Sequence, residues 1–184
     1  MHTWELSKII QEAMMNRIIT EALRNQFDST FHMARILVKI CPEKVWASSY
    51  NDVPFWQQVF HYVYFIDFWM RDKVDDSEWR TMIFDNEYTT DLYAESYEGL
   101  YISQDKMLEY LDAIQVKTTC LFDHLYDEKL STSIHNDDPQ YTYTDVIIGQ
   151  IRHIMYNIGY LNGILRELGL PESDWYAYNE PEGS

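Results

Sequence analysis

Residues Phe55 to Met70 read FWQQVFHYVYFIDFWM. Apolar and aromatic side chains fall nearly all the way round a helix drawn through this stretch. Such a helix has to be covered on more than one side, as in the middle of a bundle. Pro54 suits a first helical position, so the spacing predicts a helix over about 54–72. One side carries Val59, Val63, Ile66 and Met70. The other carries His61 with Gln57, Tyr64, Phe65 and Phe68. A buried imidazole needs partners for both ring nitrogens, and a metal ion is one way to satisfy one of them.

Upstream, the pattern is helical over about 6–40, in two pieces. Phe27, Phe31, Ala34, Leu37 and Val38 recur at spacings of three and four, which is one helical face. CPEKVW ends that helix, because Pro42 cannot continue the ladder and biases Cys41 towards an extended backbone. ASSYNDVP is turn chemistry. Downstream, 73–102 shows no sustained period and reads as a long crossover with a helical turn or two. A third long helix is predicted over about 104–126, with Ser103 as N-cap and Asp105 in the first turn. Its apolar face is Met107, Leu111, Ile114, Thr118, Leu121 and Leu125. DEKLSTSIHNDDPQ is a polar loop. Thr144 is expected to cap a fourth long helix, and Gly169 with Pro171 to stop it.

These elements predict an all-α fold, a four-helix bundle with one long crossover between its second and third helices. Residues 1–170 form a single domain and 171–184 a polar tail, partly disordered beyond Trp175. A chain of 184 residues is long enough to bury a core without staples.

Composition narrows function. The chain carries 14 basic and 30 acidic residues, a formal net charge of -16. So acidic a protein repels phosphate backbones and anionic membrane surfaces, which argues against both as partners. With only Cys41 and Cys120, no disulfide framework is expected, and the reading is cytoplasmic. No apolar leader or stretch of 18 apolar residues occurs. Aromatics reach 16%, which fits a bulky core, an aromatic pocket for a small molecule, or a homodimer face.

The fourth helix holds QIRHIMYNIGYLNGILREL, residues 150–168. Ile147, Ile151, Ile154, Ile158, Leu161 and Leu165 form its apolar stripe. His153 and Asn157, one turn apart, stand beside the stripe with Tyr160 and Ile164, facing a groove. Arg152, Tyr156 and Asn162 lie on the opposite flank. Gly159 and Gly163, also one turn apart, would permit close helix packing.

FWQQVFHYVYFIDFW together with QIRHIMYNIGYLNGILRELG resembles the DinB/YfiT-like superfamily of small metalloproteins. The resemblance runs from about Asn25 to Leu170 and includes the CPEKVW linker. It implies an up-down-down-up bundle binding a divalent metal, nickel or zinc, through three histidines. One comes from the second helix and two, spaced H-x-x-x-H, from the fourth. His61 matches the first position and His153 the second, while Asn157 stands where the family has its third histidine. Gly159 matches the family's glycine. Some relatives act on small substrates with low-molecular-weight thiols, so the resemblance implies a metal-dependent, thiol-using enzyme with a degenerate site.

An amide oxygen is a weak ligand for zinc or nickel. The site would therefore hold metal loosely, with Asp67 and Glu98 as candidate carboxylates to recruit. Taken singly, a histidine on an apolar helix is more often a hydrogen-bonded core residue. A bundle that has lost its metal, with His153 and Asn157 bonded to each other, is the rival reading. His32, with Arg35 one turn on, is expected to be partly exposed, His124 to be at the surface and His135 in a loop. Neither cysteine shows a base at helical spacing that would mark a nucleophile.

Overall fold

The structure is a computed structural model; it describes residues 16–70, 100–134 and 140–177. Most of these residues are helical, as the periodicity predicts. The elements are α1 (Ile18–Ile40), a single-turn α2 (Glu43–Trp46), β1 (Ser49–Tyr50), β2 (Val53–Pro54), α3 (Phe55–Trp69), α4 (Gln104–Asp123) and α5 (Tyr143–Glu167). The first predicted helical piece, most of the crossover, His135 and Glu98 lie outside the described residues.

Each boundary has a local cause. Cys41 is extended before Pro42, and α1 stops there. Asn51 and Asp52 both adopt positive φ, 50° and 66°, and close a two-residue hairpin that pairs Tyr50 with Val53. Positive φ at both central positions is the type I′ pattern, which matches the twist of a hairpin and which Asn and Asp tolerate. Ser103 caps α4 by accepting from the Lys106 amide. The cap of α5 is Thr142, not Thr144. The Thr142 side chain accepts from the Asp145 amide, and the Asp145 carboxylate accepts from the Thr142 amide. Threonine and an acidic residue three apart satisfy two end amides reciprocally, which outweighs a lone threonine two residues later. Gly169, at φ 69°, ends the helix in the left-handed conformation that glycine adopts freely.

The predicted apolar faces are buried, except that Ile151 is half-buried. Phe27, Ala34, Leu37, Val59, Val63, Ile66, Met107, Leu111, Ile114, Ile147, Ile154, Leu161 and Leu165 all join one core. The second face of α3 departs from expectation: His61, Tyr64, Phe65 and Phe68 are half-buried rather than enclosed.

Contacts along the helices come in a definite order. Asn51, His61 and Trp69 meet Tyr160, His153 and Tyr141, so α3 and α5 meet in reversed order. Trp56, Phe60 and Asp67 meet Tyr101, Tyr110 and Lys117, so α3 and α4 meet in the same order. Arg24 and Arg35 of α1 pair with Asp123 and Asp112 of α4, again reversed.

Two ends interlock. The Arg17 guanidinium donates to the Phe122, Asp123 and Leu125 carbonyls at 2.8–3.1 Å, supplying positive charge and donors where α4 exposes its last carbonyls. In return the Asp127 carboxylate accepts from the Ile19 and Thr20 amides at the start of α1. Beyond α5, Ser173 is buried; its hydroxyl donates to the Met33 carbonyl and its amide to Asn162. Tyr176 lies against His32, ring centres 4.4 Å apart.

Candidate functional site

His61 and His153 meet. Their ring centres lie 5.1 Å apart and their planes are nearly perpendicular, at 82°. Phe65 packs against both imidazoles, at 5.1 and 5.6 Å. The residues are 92 apart in the chain, and the reversed pairing of α3 with α5 brings them together. Each stands beside the apolar stripe of its own helix, so both reach the seam between helices without entering the core.

Burial pushes the His153 imidazole down to about 4, and the neighbouring His61 adds to the shift. A cation would be poorly solvated there and would face another titratable ring. At neutral pH His153 is therefore the uncharged imidazole, the form with a lone pair to give to a metal or an N–H donor.

Asn157 is buried, and its amide nitrogen donates to the His153 carbonyl at 2.8 Å. This bond is to the backbone of its own helix, not to the His153 ring. It uses the nitrogen, so the amide oxygen is the end left for coordination or for accepting a proton. Asp67 is placed elsewhere: it faces α4, accepting from the Tyr110 hydroxyl at 2.8 Å and from the Lys117 ammonium. Among the described residues no three His, Cys, Asp or Glu side chains form a group able to hold a metal.

The donor set can be tested against a metal. Two imidazoles sharing one ion at zinc-like distances of about 2.0–2.1 Å, with a roughly tetrahedral angle, have ring centres about 5 Å apart. The observed 5.1 Å is compatible with that geometry and equally with an ordinary edge-to-face ring contact. The neutral His153 is compatible with a metal as well. Asn157, the third position implied by the resemblance, offers an amide oxygen, harder and weaker than imidazole towards nickel or zinc, so such a set would bind loosely.

The remaining candidates are placed as follows. His32 is half-buried beside Tyr176, and His124 is exposed. Cys41 is buried, and burial pushes its thiol up to about 12, which makes it a poor nucleophile. Cys120 does have a base at helical spacing, contrary to the sequence reading: His124 Nδ1 lies 3.7 Å from its Sγ. The same Nδ1 is 2.8 Å from the Cys120 carbonyl. A carbonyl only accepts, so Nδ1 carries its proton and is not placed to take one from the thiol. Gly159 and Gly163 pack against no described residue: a Cβ built on either meets none of their atoms within 4 Å. They line a cavity of about 340 Å³ together with Tyr50, Asn51, Tyr160, Ile164 and Glu167. Tyr160 and Ile164 were legible as groove-facing from their place beside His153. The hairpin's share of the wall was not, because only the tertiary fold brings it there.

Comparison with protein-family models, with curated proteins and with solved structures finds no match to this chain.

Proposed function

We propose that the chain is a DinB-like four-helix bundle whose second and fourth long helices, α3 and α5, hold a divalent metal loosely through His61, His153 and the amide oxygen of Asn157. Its course is up-down-down-up, with the long crossover between α3 and α4. The same-order contacts of α3 with α4 and the reversed contacts of α3 with α5 support that course. The observation that carries the site is the 5.1 Å approach of the two imidazoles.

A bound nickel or zinc ion would supply Lewis acidity for a small substrate and lower the pKa of water or a thiol. The chain's own part is more specific. His61 and His153 donate nitrogen lone pairs, and Phe65 packs against both rings and restricts their rotation. Asn157 presents oxygen rather than nitrogen because its NH₂ is engaged. This reading makes the protein a metal-dependent enzyme acting on a small molecule by thiol-using transfer.

The Asn157 hydrogen bond also favours a second reading. An amide satisfied by its own helix is what a bundle that has dispensed with metal would keep. Such a protein would bind a small molecule or a partner, or pair with a second copy, without catalysis.

Metal analysis of protein purified without a histidine tag separates the two. The first reading expects near-stoichiometric nickel or zinc, abolished by His61→Ala. Asn157→His should tighten binding by about tenfold or more, roughly 1.4 kcal/mol. Protein that takes up no metal on reconstitution, or an Asn157→His variant with unchanged affinity, overturns the metal reading in favour of the second.

A further inference from the structure

We infer that the cavity between the β1–β2 hairpin and the last turns of α5 is a binding site for a small organic ammonium compound, separate from the histidine pair. Gly159 and Gly163 are the first observation. Glycine inside a helix is unfavourable, and it is usually justified by close packing of another part of the chain. Here no described residue packs on them: both positions open onto a cavity of about 340 Å³. That volume lies within the range of small-molecule pockets, roughly 300–1,000 Å³. Bare helix backbone on a pocket wall lets a ligand approach where a side chain would exclude it.

The chemistry of the wall selects the ligand. Among the described residues Glu167 is the one charged residue lining the cavity. Its carboxylate makes no hydrogen bond or ion pair with a described residue. Its neighbour Arg166 does not neutralise it, because that guanidinium is held by Glu172, Nε to Oε1 at 2.8 Å. Tyr50 and Tyr160 supply aromatic surface, which attracts cations through the negative face of the ring. The Asn51 amide donates to the Tyr160 hydroxyl at 2.8 Å. This bond ties the hairpin turn to α5 and fixes the cavity's two walls relative to each other. A net charge of -16 draws cations to the surface and repels anions. A carboxylate with no counter-ion among the described residues, two tyrosines and backbone open to close approach match an ammonium group on a compact apolar body.

The test is calorimetric titration of the full chain, treated with chelator so that no metal contributes. The probes are benzylamine, neutral benzyl alcohol and anionic benzoate. Benzylamine is expected to bind at one saturable site, with benzyl alcohol at least about fivefold weaker and benzoate unbound. Glu167→Gln should weaken benzylamine by about tenfold. Gly163→Leu should abolish binding by filling the cavity, and its melting temperature should not fall, since leucine is the better helix former. His61→Ala should bind benzylamine as well as the unaltered protein. Equal binding of alcohol and amine, or undiminished binding in both Glu167→Gln and Gly163→Leu, would overturn the inference. Loss in His61→Ala with retention in Glu167→Gln would place the amine at the histidine pair and likewise overturn it, while leaving the metal reading untouched.

Discussion

Single residues carry most of the chemistry. From the residues alone His153 read as facing a groove and His61 as lying on an aromatic helix face; that the two meet was an implication of the family resemblance, and the structure brings them together. The conformation of Asn157 was not legible, since the same residue can serve the opposite imidazole or its own backbone. The Cys120–His124 pair was there to be read at i and i+4; what the sequence withheld is that the carbonyl holds the Nδ1 proton. Asp67 was legible only as an acid on a buried helix. In the structure it is 2% exposed and paired with Lys117, with Tyr110 as a further donor. Removing one member of a buried ion pair takes away much of what compensates the other charge. Lys117→Ala is therefore expected to cost about 3 kcal/mol in urea unfolding. Lys117→Arg, which keeps the charge, should recover part of it.

Elements were the most legible scale, because a 3.6-residue period and end chemistry are local properties. The apolar faces of α1, α4 and α5 were read correctly in the main. The error at the start of α5 came from two threonines two residues apart, of which only Thr142 stands three residues before Asp145. Glycines in one element can do opposite work, and a pair of variants shows it. Gly149 lies inside α5 with open space beside it, so Gly149→Ala should stabilise the protein by about 0.5–1 kcal/mol. Gly169 lies at φ 69°, where an added Cβ is strained, so Gly169→Ala should destabilise by about 1 kcal/mol. Chemical denaturation of the two variants side by side checks both signs.

At the scale of the whole molecule, what the sequence could not disclose is which ends of which helices meet. Arg17 closing α4, Asp127 closing α1 and Ser173 docking on α1 link residues from 105 to 140 positions apart. No local pattern encodes such separations. The Asp127 case has a pH consequence. Partial burial alone would raise its carboxyl, but hydrogen bonds from the Thr20 and Ile19 amides and the Thr20 hydroxyl outweigh that and hold it below the usual range. A carboxylate depressed in the folded state stabilises the fold at pH values above its unfolded pKa of about 3.9. That stabilisation is lost as the pH falls through the lower folded value. Asp127→Asn should therefore be less stable than the unaltered protein at pH 6, and the gap should narrow as the pH falls towards 3.

The opening turn of a helix usually exchanges its amide protons fastest, since those N–H groups have no partner within the helix. Ile19 and Thr20 sit in that position in α1, yet both amides are bound by Asp127, four residues past the end of α4. Deuterium should enter them as slowly as it enters mid-helix sites, and their release should coincide with separation of the two helices rather than with fraying of one.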